Sequence, residues 1–166
     1  MLKCYKCGKA NFVSSKTTVE YKQAGLPYPV LLVGIPVREC PACGEQGITI
    51  PDPEGLHRML SLHIALANRA LFPQEIRFVR KYLDWSADHL AAVMGVDPKT
   101  LSRWENGRQK LGPVAERFLR LIVLQMLEAD ARAFTDQVLP NLGDEAADPA
   151  ESLRLSSSRN GWREAA

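Results

Sequence analysis

The chain has 166 residues, 46% of them apolar, and a formal net charge of +2. That length suits one ordinary domain or two small ones, and the longest apolar runs, over 29–37 and 121–127, are far shorter than the roughly 18 residues a membrane-spanning helix requires. The net charge points to no partner, but its distribution is uneven: +3 over residues 1–50, 0 over 51–72, +2 over 73–117 and −3 over 118–166. Met1, Leu2 and Lys3 lead straight into Cys4 with no apolar stretch, so the cytoplasm is the expected compartment and no membrane is expected as a partner.

All four cysteines fall in the first 43 residues, as Cys4-Tyr-Lys-Cys7-Gly and Cys40-Pro-Ala-Cys43-Gly. Two intervening residues let both thiolates of a tight turn face one ion, and two such knuckles complete a tetrahedral shell of four sulfurs. The glycine after each second cysteine allows the positive φ such a turn tends to need. Two structural disulfides would conflict with a reducing compartment, and a thioredoxin-like pair would need a single CxxC beside a βαβ pattern that is absent. Structural Zn2+ on Cys4, Cys7, Cys40 and Cys43 is therefore the expectation; iron would also accept this donor set. His57 and His63 are six residues apart on one helix-like stretch and so lie on different faces, and they are read, with His89, as ordinary histidines.

Between the knuckles, residues 12–22 and 28–38 are rich in Val, Thr, Leu and Ile and read as two strands joined by a turn at 23–27. Pro51-Asp52-Pro53 then opens a helix over 54–71, with Asp52 as N-cap, which Phe72-Pro73 ends. Shorter helical segments follow. One spans 73–83; a second, capped by Ser86, runs from Ala87 to Met94; a third, started by Asp97 and Pro98, reaches Glu105 and is stopped by Asn106-Gly107. Two helices of about eight residues joined by a glycine turn make a helix-turn-helix. An amphipathic stretch over 114–134 is apolar round more than half its circumference, which suggests a partner surface and a homodimer. From Leu139 the pattern dissolves into an expected flexible tail, in which Leu153, Leu155 and Trp162 could form a short partner-binding segment.

The string Leu90-Ala-Ala-Val-Met-Gly-Val96, followed by Thr100-Leu-Ser-Arg-Trp-Glu-Asn-Gly-Arg108, resembles the Xre/Cro-type DNA-binding domain over roughly residues 73–123. Leu101 and Trp104 then face the core and leave Lys99, Thr100, Ser102 and Arg103 on the side that lies in a major groove. Arg103 suits a bidentate contact to guanine, Lys99 sits one turn earlier, and Arg108 and Lys110 suit phosphates; Asn106 completes the expected DNA-binding set. From Lys99 to Lys110, four basic residues face Glu105 alone, a local excess of +3.

A Cys4 zinc module followed by this helical domain resembles the MqsA family of type II antitoxins, the YgiT-type zinc fingers, over residues 1 to about 125. The resemblance implies a two-domain protein, a small zinc-stabilised mainly β N-terminal domain plus an all-α Xre-type helix-turn-helix bundle. The expected divisions are 1–50 for the zinc domain, 51–72 for a connecting helix, 73–135 for DNA binding and dimerisation, and 136–166 for the tail. It further implies that the N-terminal domain contacts and neutralises an mRNA-cleaving toxin. The C-terminal domain would bind a palindromic operator in double-stranded DNA as a dimer and repress its own operon. The family usually has Asn where Lys99 stands here, so the base read there is expected to differ. The same order of modules also serves stand-alone regulators whose zinc domain senses a ligand or binds another protein, which is the alternative. An enzyme is not expected, since no Ser/His/Asp or HExxH constellation is present.

Overall fold

The computed structural model describes residues 3–141 and 152–165. They fall into two compact units. The first comprises, of these, residues 3–22, 29–56 and 152–165, the second residues 23–28 and 57–141.

The first unit is built round a sheet. Strand β1 (Val13–Glu20) pairs antiparallel along one edge of β2 (Val30–Glu39). The other edge of β2 is shared by two strands: β3 (Gln46–Ile48) takes the 37–39 end, and β4 (Leu153–Ser158) takes Val30 to Val33 in parallel. Strand β5 (Gly161–Glu164) folds back on β4 and completes the order β1-β2-β4-β5. Buried positions on β2 are Val30 and Leu32, then Ile35 and Val37, so the alternation slips by one residue midway. Gly34, at φ 74°, lies at the slip, opposite the register shift between Thr17 and Val19. The extra residue is a β-bulge that keeps both apolar pairs on one face, and its left-handed backbone suits glycine.

The last strands correct the expectation of a flexible tail over 136–166. Leu153, Leu155 and Trp162 are buried against the sheet, and the Trp162 indole N–H donates to the Asp52 carbonyl at 2.9 Å. Their alternation was short and its partner strand lay at the far end of the sequence, so local pattern alone could not pair them. The acidic stretch 144–151 of that expected tail lies outside the described residues. Strand β3 was also missed, being three residues long.

Helix α1 (Pro53–Leu66) begins in the first unit and runs into the second. The Asp52 carboxylate accepts from the Gly55 amide at 3.0 Å, as an N-cap should. The helix stops at Leu66 rather than at 71, because the guanidinium of Arg120 takes the carbonyls of Ile64, Ala65, Ala67 and Arg69. Those carbonyls thus have a charged donor in place of the amides of a further helical turn.

The second unit holds α2 (Pro73–Tyr82), α3 (Ala87–Met94), α4 (Pro98–Glu105) and α5 (Pro113–Met126). Local chemistry sets their ends. The Ser86 hydroxyl accepts from the His89 amide at 3.1 Å, the Asp97 carboxylate accepts from Lys99 at 2.8 Å, and Gly95 closes α3 at φ 67°. Helix α5 ends at Met126 and not at 134, since Glu128 takes a positive φ of 50°. A further helical turn, Phe134–Val138, buries Phe134 and Val138.

Ion pairs lock this unit from inside, those of Glu75 and Glu105 among them. Glu75, fully buried, receives both Nη atoms of Arg69 at 2.8 and 2.6 Å, the Phe72 amide at 2.8 Å and the Tyr28 hydroxyl at 2.8 Å. Burial and the neighbouring Glu75 charge push the Tyr28 phenol strongly upward, so it stays a donor. Glu105, on α4, receives Arg80 through Nε at 2.6 Å and Nη2 at 2.9 Å.

Candidate functional site

Each cysteine pair sits on the same backbone device. The Gly8 amide donates to the Cys4 carbonyl at 2.9 Å and the Gly44 amide to the Cys40 carbonyl at 2.8 Å, with φ 65° and 70° at the two glycines. Both turns therefore present two sulfurs on one side. The two knuckles meet, and all four Sγ atoms lie within 4.8 Å of one another. Cys4 and Cys43 approach to 3.7 Å and Cys7 and Cys40 to 3.6 Å. A disulfide needs about 2.05 Å, so none is formed. The edge of a tetrahedron with metal–sulfur bonds of about 2.3 Å is about 3.8 Å, so the spacing fits one ion held by four thiolates, as zinc takes it.

The acidities of these thiols support the same reading. The Cys7 backbone amide, with help from that of Lys6 and the facing sulfurs, brings the Cys4 thiol down to about 7. At Cys43 the Glu45 amide favours the thiolate, yet desolvation and the hydrogen bonds with Cys40, Cys7 and Cys4 outweigh it and push the thiol up to about 12. Four sulfurs this close share negative charge poorly, and a dication lets all of them ionise.

A polar clasp holds the knuckles together from outside. Glu45 accepts from Lys6 Nζ at 2.6 Å and from the Tyr5 hydroxyl at 2.9 Å. Sequence reasoning missed this contact; the only signal was a cation inside one knuckle and an acid two residues after the other. The histidines stay outside the cluster: His57 meets Phe78 edge-on at 5.7 Å, His63 meets Tyr28 at 6.4 Å and His89 meets Trp85 at 4.7 Å.

The remaining candidates lie on α4 and the loop after it. Leu101, Trp104 and Glu105 are buried, whereas Lys99, Ser102 and Arg103 are exposed and Thr100 is half-buried. Lys99 and Arg103 are four residues apart, hence on one helix face with Ser102 beside them. Glu105, the one acid counted against this stretch, is turned inward onto Arg80, so the outer side is more cationic than the sequence tally suggested. Arg108 and Lys110 are exposed past Gly107. Asn106 differs from the rest. Its amide nitrogen donates to the Ser102 carbonyl at 2.7 Å and its oxygen accepts from Arg77 at 2.7 Å, so its side chain closes the helix. The sequence also gave no sign of Arg77 and Arg80, which hold α4 from α2.

On α5, Val114, Phe118, Leu121 and Met126 remain exposed, Val114 at 79%. Positions 114, 118 and 121 recur at helical spacing and form one apolar stripe. Among the described residues no helix is long and apolar enough to cross a membrane.

A family model described as the antitoxin component of a bacterial toxin-antitoxin system, MqsA, matches residues 2–127. The match takes in the four cysteines and α1 to α5, and leaves β4 and β5 outside. No curated protein matches the chain.

Proposed function

Because the chain belongs to the MqsA family of antitoxin components, we propose that it is a zinc-binding antitoxin that binds its operator as a dimer, represses its own operon and neutralises an mRNA-cleaving toxin. In this reading Cys4, Cys7, Cys40 and Cys43 hold Zn2+. Bound there, the ion supplies a structural cross-link; four sulfurs fill its shell and leave no position for a reacting water. The protein then acts by binding and not by catalysis. The first unit would carry the toxin contact, as the family implies.

DNA binding is assigned to α3, the Gly95 turn and α4 as a helix-turn-helix of the Xre type. The observation that carries it is the division of α4 into a buried side, Leu101, Trp104 and Glu105, and an exposed cationic side. Arg103 can offer two parallel donors to guanine O6 and N7, and Lys99 reaches bases from the first turn of the helix. Thr100 and Ser102 are short enough for bases or phosphates, Arg108 and Lys110 meet phosphates, and Asn106 contributes by fixing the end of α4.

The test is operator binding across a range of salt. Arg103→Ala is expected to cost about 1–3 kcal/mol on the operator and to relax preference at one base pair, while Arg108→Ala weakens all sequences alike and lowers the salt slope by about one unit. Equal losses on operator and random DNA for Arg103→Ala would refute base reading.

The stripe on α5 is assigned to the dimer, since two half-sites one helical turn apart call for a two-fold axis. Phe118→Glu is expected to shift the sedimenting species to a monomer; an unchanged dimer would place the interface elsewhere.

A further inference from the structure

A pocket of about 360 Å3 lies between α2, His57 of α1 and the 23–25 turn, all of them parts of the second unit. That volume stands at the small end of ligand sites, roughly 300–1,000 Å3. Gln74, Arg77 and Lys81 line it from one face of α2, spaced three and four residues apart, and Gln23 lines it from the turn. Phe78 and Tyr82 add aromatic surface, and no carboxylate is among the lining residues.

The cations keep donors to spare. Arg77 Nη2 donates to the Asn106 side-chain oxygen at 2.7 Å and to the Glu105 carbonyl at 3.2 Å. The Glu105 carboxylate already takes two hydrogen bonds from Arg80, and Arg77 Nε stands 3.7 Å from it, beyond hydrogen-bond range. The Nε and Nη1 edge of the Arg77 guanidinium is thus left uncommitted. Lys81 is exposed, and among the described residues its ammonium has no hydrogen bond or ion pair. Burial holds the His57 pKa below its usual value, so the imidazole enters as a neutral group. The pocket therefore presents two positive charges, amide donors beside them and no acid. A carboxylate would answer one of those charges; a phosphate monoester carries about −1.5 to −2 at neutral pH and offers three terminal oxygens.

We propose that this pocket binds a small phosphate monoester, its terminal oxygens on Arg77 and Lys81 with Gln74 beside them, and that its occupancy weakens the hold of the chain on DNA. The second part rests on the DNA reading above. Arg77 is the route: the same side chain fixes Asn106 at the end of α4, two residues before Arg108. An anion that draws the guanidinium to itself loosens that end and sets negative charge beside the cationic side of α4. By linkage, DNA lowers the affinity for the phosphate by the same factor.

The experiment titrates the full chain by calorimetry with phenyl phosphate and with its neutral ester, dimethyl phenyl phosphate. Phenyl phosphate is expected to bind saturably and the ester roughly tenfold or more weakly, since charge-assisted hydrogen bonds are the strong ones. Lys81→Gln is expected to weaken phenyl phosphate roughly tenfold, whereas Lys16→Gln, an exposed cation on β1, leaves it unchanged. Ala24→Trp, which fills the pocket without removing a charge, is expected to abolish binding while circular dichroism shows the chain still folded. No saturable binding, equal affinity for the neutral ester, or binding that survives both Lys81→Gln and Ala24→Trp overturns the site. Operator affinity is then measured with saturating phenyl phosphate and with sodium chloride at the same ionic strength. Phenyl phosphate is expected to weaken it about fivefold, and the difference to vanish in Lys81→Gln. Operator binding indifferent to phenyl phosphate overturns the regulatory part alone. A chain that binds no operator at all defeats the DNA reading and leaves the site to be decided by calorimetry. If Lys81→Gln lowers the salt slope of DNA binding by about one unit and phenyl phosphate does not bind, the pocket meets the DNA backbone and the proposal is overturned.

Discussion

Arg120 shows how much of this molecule depends on single buried charges. Its side chain is fully buried, donates to Glu116 one turn earlier on α5, and gives its other hydrogen bonds to carbonyls at and just after the end of α1. Burial pulls its pKa down, and the Glu116 carboxylate opposes that pull. Arg120→Met would leave a buried carboxylate without a counter-charge and several carbonyls without donors. It is expected to cost about 3–5 kcal/mol in urea denaturation, with part of the loss recovered in Arg120→Met/Glu116→Leu. A loss below about 1 kcal/mol would mean that water reaches these groups. None of this was legible from sequence, because the guanidinium and its carbonyl partners are brought together by tertiary packing. The four-cysteine cluster was legible for the opposite reason: a CxxC-Gly turn carries its geometry within five residues, and only the meeting of the two turns needs the fold.

Elements divide along the same line. The limits of α3 and α4 could be read from Ser86, Gly95, Asp97 and Pro98, since caps act within one turn of the chain. Those of α1 and α5 could not, because α1 is ended by Arg120 from α5 and α5 by a left-handed Glu128 that no residue preference suggests. Strands β4 and β5 carried one local sign, Asn160-Gly161, where a two-residue loop joins Ser158 to its partner Gly161. Docking of these strands can be checked by contrast within β4. Leu155→Ala is expected to cost about 2–5 kcal/mol in urea denaturation, as a core truncation does, and Arg154→Ala, on the exposed face, about 0.5 kcal/mol or less. Similar small losses at both positions would show that the strand does not hold to the sheet.

At the scale of the whole molecule, the two units differ in what keeps them folded. The first gathers its knuckles round four thiols that repel as thiolates, while the second closes on Leu101, Trp104, Leu119, Leu124 and the ion pairs of Glu75, Glu105 and Glu116. A chelator is therefore expected to strip hydrogen-exchange protection from residues 4–11 and 40–48 and leave the amides of α2 to α5 protected. Simultaneous loss in the helices would show that the metal supports both. The parallel pairing of β4 with β2 also has a temporal consequence. A ribosome makes β2 well before β4, so the Val30–Val33 edge stays open while the helices between them, α1 to α5, are synthesised. Until β4 emerges, the nascent protein carries an unpaired strand edge on which any extended segment can add, and β4 is the piece that closes it.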